Sequence, residues 1–324
     1  MRVAFFASGD FAVPSLHAVV GAGHEVVLLV TQPARPAGRS GKPRPTPIAR
    51  VGLELGLSPW QCPDVNAPQA LETIAASGPD VIVVADFGQF IRQRVCKLAP
   101  LEAFNLHGSL LPALRGAAPV NWAIINGLER TGVTTFRLVD KMDAGPVYLQ
   151  STTEIKPLET AEELEVRLAR LGADLLCRTL DLLALGPQQG IVQDESQVSF
   201  APRLKKSDGI INWSAPAERI KNLIHGCWSW PGGQCDFYRQ DGSRVPVIIA
   251  RVDLADQTGC ECKEPGLLDN DLKVCTGLGR LGVLELKPSG KRQMSWRDFV
   301  NGYRVKCGDR FCRPQEQADD ISGT

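Results

Sequence analysis

The chain has 324 residues, of which 44% are hydrophobic and 22% are charged. These proportions are ordinary for a soluble globular protein, and the length suggests two domains. The 36 basic and 36 acidic residues cancel, which excludes a global electrostatic field as the means of binding nucleic acid, so such a partner must meet a local basic patch. The chain shows no long apolar span and no signal peptide, and we expect a cytoplasmic protein without a membrane partner.

The N-terminal segment has the pattern of a strand, a helix and a second strand. Residues 2–6 form a short apolar strand, residues 11–22 carry apolar side chains at helical spacing, and Glu25–Thr31 is a nearly continuous apolar run suited to a buried parallel strand. This order is the first half of a doubly wound, Rossmann-like α/β domain with a mostly parallel sheet. This segment carries no GxGxxG motif, so we infer no dinucleotide.

The next segment, residues 32–45, is rich in proline and glycine and too irregular for a helix. Between Gln32 and Leu53 there is no acidic residue, and the basic residues are Arg35, Arg39, Lys42, Arg44 and Arg50. From composition alone such a run is more often a solvated face than a nucleic-acid contact. Two predicted helices, residues 47–55 and 68–76, and a central strand, Val81–Ala85, follow this basic loop.

Two polar side chains lie on what is predicted to be one face of the next strand. Asn105 and His107 alternate with Phe104 and Leu106, and a Gly-Ser pair ends the strand directly after His107. Ligand crevices of open α/β sheets form at the carboxyl ends of strands, which is where this pair lies. A second strand is predicted at residues 133–139, and Asp143 follows it in a glycine-flanked loop.

An amide, an imidazole and a carboxylate together suit acyl transfer to an amine. The imidazole of His107 can orient or deprotonate the amine, and the carboxylate of Asp143 can hold its tautomer and accept charge. The amide of Asn105 can donate to the developing oxyanion, a role typically worth about 3 kcal/mol. Taken singly, each residue is more often a satisfied core or turn residue, so it is the joint pattern that favours catalysis.

Four motifs in this region point to one family: Asn-x-His-Gly-Ser-Leu-Leu-Pro from Asn105, Arg-Gly-Ala-Ala-Pro from Arg115, Thr-Gly-Val-Thr from Thr131 and Asp-Ala-Gly from Asp143. Their order and spacing resemble the catalytic core of folate-dependent formyltransferases. The resemblance implies 10-formyltetrahydrofolate as co-substrate and Asn105, His107 and Asp143 as the catalytic residues. It also implies a donor pocket formed by Phe87, Gly88, Ser109, Leu110, Leu111, Pro112, Arg115 and Gly116.

The basic loop indicates which group of formyltransferases the chain resembles. Its run Thr-Gln-Pro-x-Arg-Pro-Ala-Gly-Arg, from Thr31 to Arg39, resembles the insertion loop that methionyl-tRNA formyltransferases use against the tRNA acceptor stem. Amino-sugar formyltransferases that share the catalytic core generally lack this loop. The resemblance implies initiator methionyl-tRNA as partner, contacted by Arg35, Arg39, Lys42 and Arg44.

The remainder of the chain is predicted to form a long helix, a linker and a small barrel. Leucines recur at helical spacing over residues 160–185, and Thr160 with Glu163 makes a plausible capping box. We place the catalytic domain at residues 1–189, a linker at 190–204 and an OB-like domain of short strands at 205–324. By resemblance this barrel contacts tRNA, and residues 287–313 carry eight basic residues against two acidic ones.

Several alternatives stay open at this point. A sugar-nucleotide N-formyltransferase would use the same catalytic residues but would leave the basic loop without a purpose. A non-catalytic tRNA-binding protein would use the loop and barrel but not the Asn105, His107 and Asp143 constellation. Of the ten scattered cysteines, Cys260 with Cys262 and Cys307 with Cys312 could hold a metal, but free thiols are the better interpretation, and we expect a monomer without metal.

Overall fold

The computed structural model describes residues 1–36, 41–255 and 264–314. Arg39 of the basic loop and the Cys260 and Cys262 pair lie outside the described residues. The chain divides into two compact units, of which the first comprises Met1–Pro119, Arg130–Glu154 and Leu164–Pro202. The second comprises Val120–Glu129, Ile155–Glu163 and the described residues from Arg203 onward. The domain and linker bounds expected from the sequence stay a prediction.

The first unit is built on a seven-stranded sheet, as the apolar runs of the sequence indicate. Its strands, together with the two-residue strands β3 and β4 of the basic loop, are β1 Arg2–Ala7, β2 Glu25–Thr31, β3 Arg35–Pro36, β4 Pro43–Arg44, β5 Pro59–Gln61, β6 Val81–Ala85, β7 Glu102–His107, β8 Arg130–Arg137 and β9 Val147–Glu154. The order across the sheet is β5-β2-β1-β6-β7-β8-β9. The first five strands in this order are parallel, and β8 and β9 are antiparallel.

Helices cover the parallel strands, as a doubly wound sheet requires. The helices from the N-terminus to the end of the long leucine-rich segment are α1 Val13–Gly21, α2 Pro47–Glu54, α3 Pro68–Ser77, α4 Gln93–Cys96, α5 Pro119–Ile125 and α6 Ala161–Ala184. Of these, α5 belongs to the second unit from Val120 onward. The predicted capping box before α6 is confirmed: the Thr160 amide donates to Glu163 Oε2 at 2.9 Å, and the Glu163 amide donates to Thr160 Oγ1 at 3.4 Å.

The strand order explains where a ligand crevice lies in this unit. All five residues of β6 are buried, which fits a parallel strand covered on both faces. The chain order of the strands reverses between β1 and β6, and this switch point places the loops after Ala7 and Ala85 side by side. The carboxyl end of β7, at His107, follows on the other side of β6. The loops after β1, β6 and β7 therefore share the carboxyl edge of the parallel strands.

The second unit is an antiparallel, nearly closed barrel, which confirms the predicted fold class. Its strand order is β12-β13-β11-β10-β15, with β14 on β13. The elements of this unit are α7 Ala217–Cys227, β10 Gly233–Tyr238, β11 Arg244–Ala255, β12 Val274–Cys275, β13 Arg280–Pro288, β14 Met294–Ser295, α8 Trp296–Tyr303 and β15 Arg310–Cys312. Phe237 packs against Phe299 and Phe311, each with ring centroids 5.2 Å apart, so α8 and β15 close the core.

Among the described residues, no helix combines the length and the apolar character that crossing a membrane requires.

Candidate active site

The structure places two of the predicted catalytic residues on one strand of the first unit and brings the third, Asp143, within 3.9 Å of His107. Asn105 and His107 both lie on β7, and the strand ends at His107, as predicted. Asn105 is half-buried and pairs with Val84 on β6 and Phe136 on β8. The flanking Phe104 and Leu106 are buried. The period-two alternation therefore places Asn105 and His107 on one face of the strand, as expected.

His107 is buried and is held in one orientation. Its Nε2 lies 2.9 Å from the carbonyl oxygen of Leu114, and a carbonyl can only accept, so Nε2 carries the proton. Its Nδ1 faces Asp143 Oδ2 at 3.9 Å. The Phe136 ring meets the imidazole edge to face, with centroids 6.4 Å apart. The backbone carbonyl of Leu114, rather than the carboxylate, fixes the tautomer, and Nδ1 is left as the atom that can accept a proton.

Asp143 is held in a tight loop. Its φ of 49° lies in the left-handed region, which Asp tolerates better than most residues. Its Oδ2 accepts a 2.8 Å hydrogen bond from the Gly116 amide. Gly145 closes the loop, because a Cβ there would lie 1.8 Å from the Arg137 carbonyl oxygen. The carboxylate thus receives a backbone donor on the same oxygen that faces His107.

The turn after His107 is tied to the neighbouring antiparallel strands. Thr134 Oγ1 donates to the Ser109 carbonyl at 2.7 Å and accepts from the Leu111 amide at 3.1 Å. Gln150 Nε2 donates to the Leu111 carbonyl at 2.8 Å. Ser109 is itself buried, with its hydroxyl on the Ala113 carbonyl at 2.6 Å. The turn that was expected to shape the donor pocket is therefore rigid, because its polar groups are satisfied from β8 and β9.

Arg115 is fully buried, and its partners lie far away in sequence. Its Nε and one terminal nitrogen donate to Gln193 Oε1 at 3.1 and 2.8 Å, and the same terminal nitrogen donates to Glu195 Oε1 at 2.9 Å. The sequence did not single out Gln193 or Glu195, since both fall in the stretch that was expected to be a linker. No motif or periodicity marks them. Only the fold shows that they meet Arg115.

The comparison with known proteins decides the family. A family model described as formyl transferase matches residues 1–180, and one described as the formyl transferase C-terminal domain matches residues 203–304. A methionyl-tRNA formyltransferase of Solibacter usitatus is 43% identical over 94% of this chain and 96% of its own length. One of Trichlorobacter lovleyi is 37% identical over 95% of this chain and 96% of its own.

This chain belongs to the methionyl-tRNA formyltransferase family.

The fold agrees with solved formyltransferases of remote sequence. The crystal structure of an N-formyltransferase from Helicobacter canadensis, in complex with folinic acid and dTDP-3-aminofucose, matches with a TM-score of 0.62 at 14% identity. The match covers 90% of this chain and all of that one. At such low identity the likeness concerns the fold alone.

A second polar cluster of this formyltransferase joins the basic loop to the loop after β6. Gln32 Nε2 donates to the Phe87 carbonyl at 2.9 Å, and the Ser8 hydroxyl donates to the same carbonyl at 3.2 Å. The Ser8 and Gly9 amides donate to the Asp86 carbonyl at 3.0 and 3.2 Å. The Phe87 ring is buried against Phe6. Asp86 and Gly88, on either side of Phe87, are exposed, and Gly88 has a φ of 79°.

The described part of the basic loop begins and ends in a short antiparallel ladder. Arg35 on β3 pairs with Arg44 on β4, and both side chains are exposed, as is Lys42. Arg35 also donates to Gln32 Oε1. Three of the four predicted nucleic-acid contacts are thus placed on the surface, while Arg39 lies outside the described residues.

Within residues 1–36, 41–255 and 264–314, no group of three or more His, Cys, Asp or Glu side chains is arranged to hold a metal ion.

Proposed function

We propose that this chain transfers the formyl group of 10-formyltetrahydrofolate to the α-amine of methionine on charged initiator tRNA. Its membership of the methionyl-tRNA formyltransferase family, over nearly its whole length, supports the reaction class and the acceptor. The observation that supports the chemistry is the pair of His107 Nδ1 and Asp143 Oδ2, which face each other at 3.9 Å. Asn105 lies two residues before His107 on the same face of β7. No side-chain nucleophile is required, because the methionine amine attacks the formyl carbon directly.

The proposed step conserves atoms and charge. The amine nitrogen forms a bond to the formyl carbon, and the formyl oxygen becomes an oxyanion that the Asn105 amide stabilises by donation. His107 Nδ1 accepts the proton that the amine nitrogen loses, and the imidazolium is then stabilised by the Asp143 carboxylate. The bond between the formyl carbon and N10 of the folate breaks, and the proton passes to N10. The products are formylmethionyl-tRNA and tetrahydrofolate.

We place the donor along the carboxyl edge of the sheet, between the loop after β6 and the turn after β7. The buried ring of Phe87 fixes the exposed backbone at Gly88 as one wall. The satisfied turn at residues 109–112, which comprises Ser109, Leu110, Leu111 and Pro112, forms the other. Arg115, which is held by Gln193, fixes the position of the neighbouring Gly116, whose amide donates to Asp143. Rigid walls of this kind supply proximity and orientation, the main requirement of a reaction between two bound substrates.

The tRNA contacts are proposed on two surfaces. In the first unit, Arg35, Lys42 and Arg44 are exposed and, with Arg39, form the basic loop expected to meet the acceptor stem. In the second unit, a cavity of about 660 Å³ has three basic side chains in its lining, Lys206, Arg244 and Lys287. Either surface could bind tRNA although the net charge of the chain is zero. Salt screens charges beyond about 10 Å, so only the basic residues close to the phosphates contribute. The barrel unit is thereby proposed as the tRNA-contacting domain, with the catalytic domain and linker bounds at residues 189 and 204.

The competing acceptor is an amino-sugar nucleotide. The Helicobacter canadensis N-formyltransferase of similar fold was crystallised with dTDP-3-aminofucose, and transfer to such a sugar would need the same catalytic residues. The test offers the protein equal concentrations of methionyl-tRNA and of a dTDP-linked amino sugar, with labelled 10-formyltetrahydrofolate. We expect label on the methionine amine, with kcat/KM higher by orders of magnitude than for the sugar. Uncharged tRNA is the matched control and must take no label. Preferential labelling of the sugar would overturn the proposal.

A further inference from the structure

A segment beyond the long helix α6 reaches back to the loop that carries Asp143. Gln193, in this segment, is buried, and its Nε2 donates to the carbonyl oxygens of Asp143 and Gly145, both at 2.8 Å. Its Oε1 accepts two hydrogen bonds from Arg115, at 3.1 and 2.8 Å. A side-chain amide has two N–H donors and one oxygen with two lone pairs. Every hydrogen-bonding site of this side chain is therefore engaged.

Arg115 completes the connection from the other side of Asp143. Its guanidinium is 1% exposed and also binds Glu195. Its backbone is fixed as well: the Arg115 amide donates to the Ser199 carbonyl at 2.9 Å, and its own carbonyl accepts from the Ala201 amide at 2.8 Å. The next residue, Gly116, donates its amide to Asp143 Oδ2. The backbone and the carboxylate of Asp143 are therefore held by two groups that themselves meet at Arg115.

The Asp143 loop needs such support for a physical reason. Asp143 has a positive φ, a conformation that costs free energy for a residue with a Cβ and persists when the surroundings impose it. The Gln193 amide donates to the carbonyls at the two ends of the Asp143–Gly145 stretch. The buried positive charge of Arg115 polarises that amide, which strengthens its donation to the two carbonyls. Without the amide, two carbonyls lose their donor and the loop can relax.

We propose that Gln193 is a positioning residue, which together with Arg115 holds the Asp143 carboxylate at the working distance from His107 Nδ1. The assignment rests on the proposed function, since the carboxylate is positioned for the formyl-transfer step. Gln193 touches neither substrate in this scheme. Its loss should lower kcat and leave the KM for methionyl-tRNA and for the donor nearly unchanged.

A double-mutant cycle with Asp143 tests this role more sharply than a single substitution. Gln193→Met keeps the volume and removes the amide, and we expect kcat to fall about tenfold or more, with each KM within about twofold of wild type. In an Asp143→Ala background the same substitution should cost less than about twofold, because there is no carboxylate left to position. Equal losses in the two backgrounds, or a Gln193→Met enzyme with wild-type kcat, would overturn the proposal.

The chain offers a matched control. Gln188 lies five residues earlier, is half-buried, and also donates its amide to two backbone carbonyls, those of Leu182 at 3.2 Å and Gly186 at 3.0 Å. Gln188→Met should leave kcat unchanged. If Gln193→Met does not fold, Gln193→Glu takes its place, since it retains the oxygen that Arg115 binds but offers no N–H to the two carbonyls, and the same kcat loss is expected.

Failure of the proposed function is separable from failure of this inference. Wild-type formylation of methionyl-tRNA in the same assay tests the function. The ¹⁵N shifts of the His107 ring, one of four histidines in the chain, report the carboxylate position without any turnover. A shift change in Gln193→Met and not in Gln188→Met supports the positioning role. An unchanged His107 spectrum in Gln193→Met contradicts it, whatever reaction the enzyme performs.

Discussion

His107 directs its two ring nitrogens at partners of different kinds: Nε2 donates to the Leu114 carbonyl at 2.9 Å, and Nδ1 faces Asp143 Oδ2 at 3.9 Å. The carbonyl fixes which nitrogen is protonated, so a proton gained in the proposed reaction would arrive at Nδ1, next to a carboxylate. The pair is thus arranged to accept a proton and to stabilise the resulting imidazolium, and the tautomer is set by the backbone rather than by the acid.

The first prediction concerns the catalytic residues as a unit. Asn105→Ala removes the proposed oxyanion donor and should lower kcat by about a hundredfold or more, while tRNA binding barely changes. His107→Gln should cost at least as much. The double variant should lose far less than the product of the two single losses, because groups that act in one step are not additive. Single-turnover formylation measures the rate, and titration with tRNA measures the affinity. A double variant whose loss equals the product of the two single losses would contradict joint action.

Gly116 provides a second prediction, about backbone placement. Its φ is 128°, and an added Cβ would lie 2.6 Å from the Ala201 carbonyl oxygen, so Gly116→Ala must shift the backbone and with it the amide that binds Asp143. We expect kcat to fall at least tenfold and stability to fall by about 1–3 kcal/mol.

Gly242→Ala is the control for Gly116→Ala, because Gly242 also has a positive φ, 83°, but an added Cβ would meet no atom within 4 Å. This control should lose stability through backbone strain alone and keep full turnover. Equal kcat values for Gly116→Ala and Gly242→Ala would remove the link between the Gly116 amide and catalysis.

His225 gives a prediction about pH in the second unit. Burial, reinforced by the charges of Lys221 and Arg251 and opposed by Glu163, lowers the pKa of His225 from 6.5 to about 4. Its Nε2 accepts a hydrogen bond from the Val252 amide at 3.1 Å, which requires the neutral ring. The unfolded chain therefore binds more protons between pH 6.5 and 4. The stability that neutral His225 contributes is complete above pH 6.5 and decreases as the pH falls towards 4.

The size of this effect follows from the shift. From pH 7 to pH 5 the free energy of unfolding should fall by about 2 kcal/mol through His225 alone. His225→Asn has no titrating ring, and its decrease over the same interval should be smaller by that amount. Urea unfolding of both proteins at the two pH values measures the difference. Parallel decreases would show that His225 titrates normally in the folded protein.

The basic loop carries the fourth prediction. Arg39→Ala should lower kcat/KM on charged initiator tRNA strongly and leave donor binding intact, whereas Arg44→Ala, at the base of the loop ladder, should cost less. If Arg39 only contacted a phosphate, its replacement would weaken the binding of all tRNAs alike. It would also reduce the slope of log affinity against log salt concentration by about one. Single-turnover rates on initiator and elongator methionyl-tRNA across a salt series distinguish the two. Equal losses on both tRNAs would make Arg39 an ordinary electrostatic contact.

Local patterns predicted the elements that bear the site. The alternation around Asn105 and His107 gave a strand that ends at His107, and the Thr160 and Glu163 capping box was found at the start of α6. Both depend on residues within a few positions of each other. The helix Trp296–Tyr303 was missed, because a basic run was interpreted only as a charge pattern, although Phe299 anchors that helix in the core.

What the sequence could not predict are contacts between distant segments. Gln193 lies 78 residues after Arg115, and Glu195 lies 80 residues after it. Their stretch has neither helical nor strand periodicity, so the interpretation as a linker was the natural one. The burial of Arg115 could not be predicted from the sequence either. An arginine is normally exposed and becomes buried only when the fold supplies its partners. Support for the Asp143 loop from far along the chain is a tertiary property.

The most direct test of the account is single-turnover transfer of a labelled formyl group from 10-formyltetrahydrofolate to initiator methionyl-tRNA by the wild-type and Asp143→Ala proteins. The account predicts label on the methionine amine with the wild-type protein. It predicts a rate about a hundredfold lower with Asp143→Ala, at unchanged affinity for both substrates. A folded Asp143→Ala protein that transfers the formyl group at the wild-type rate would contradict the role of the His107 and Asp143 pair.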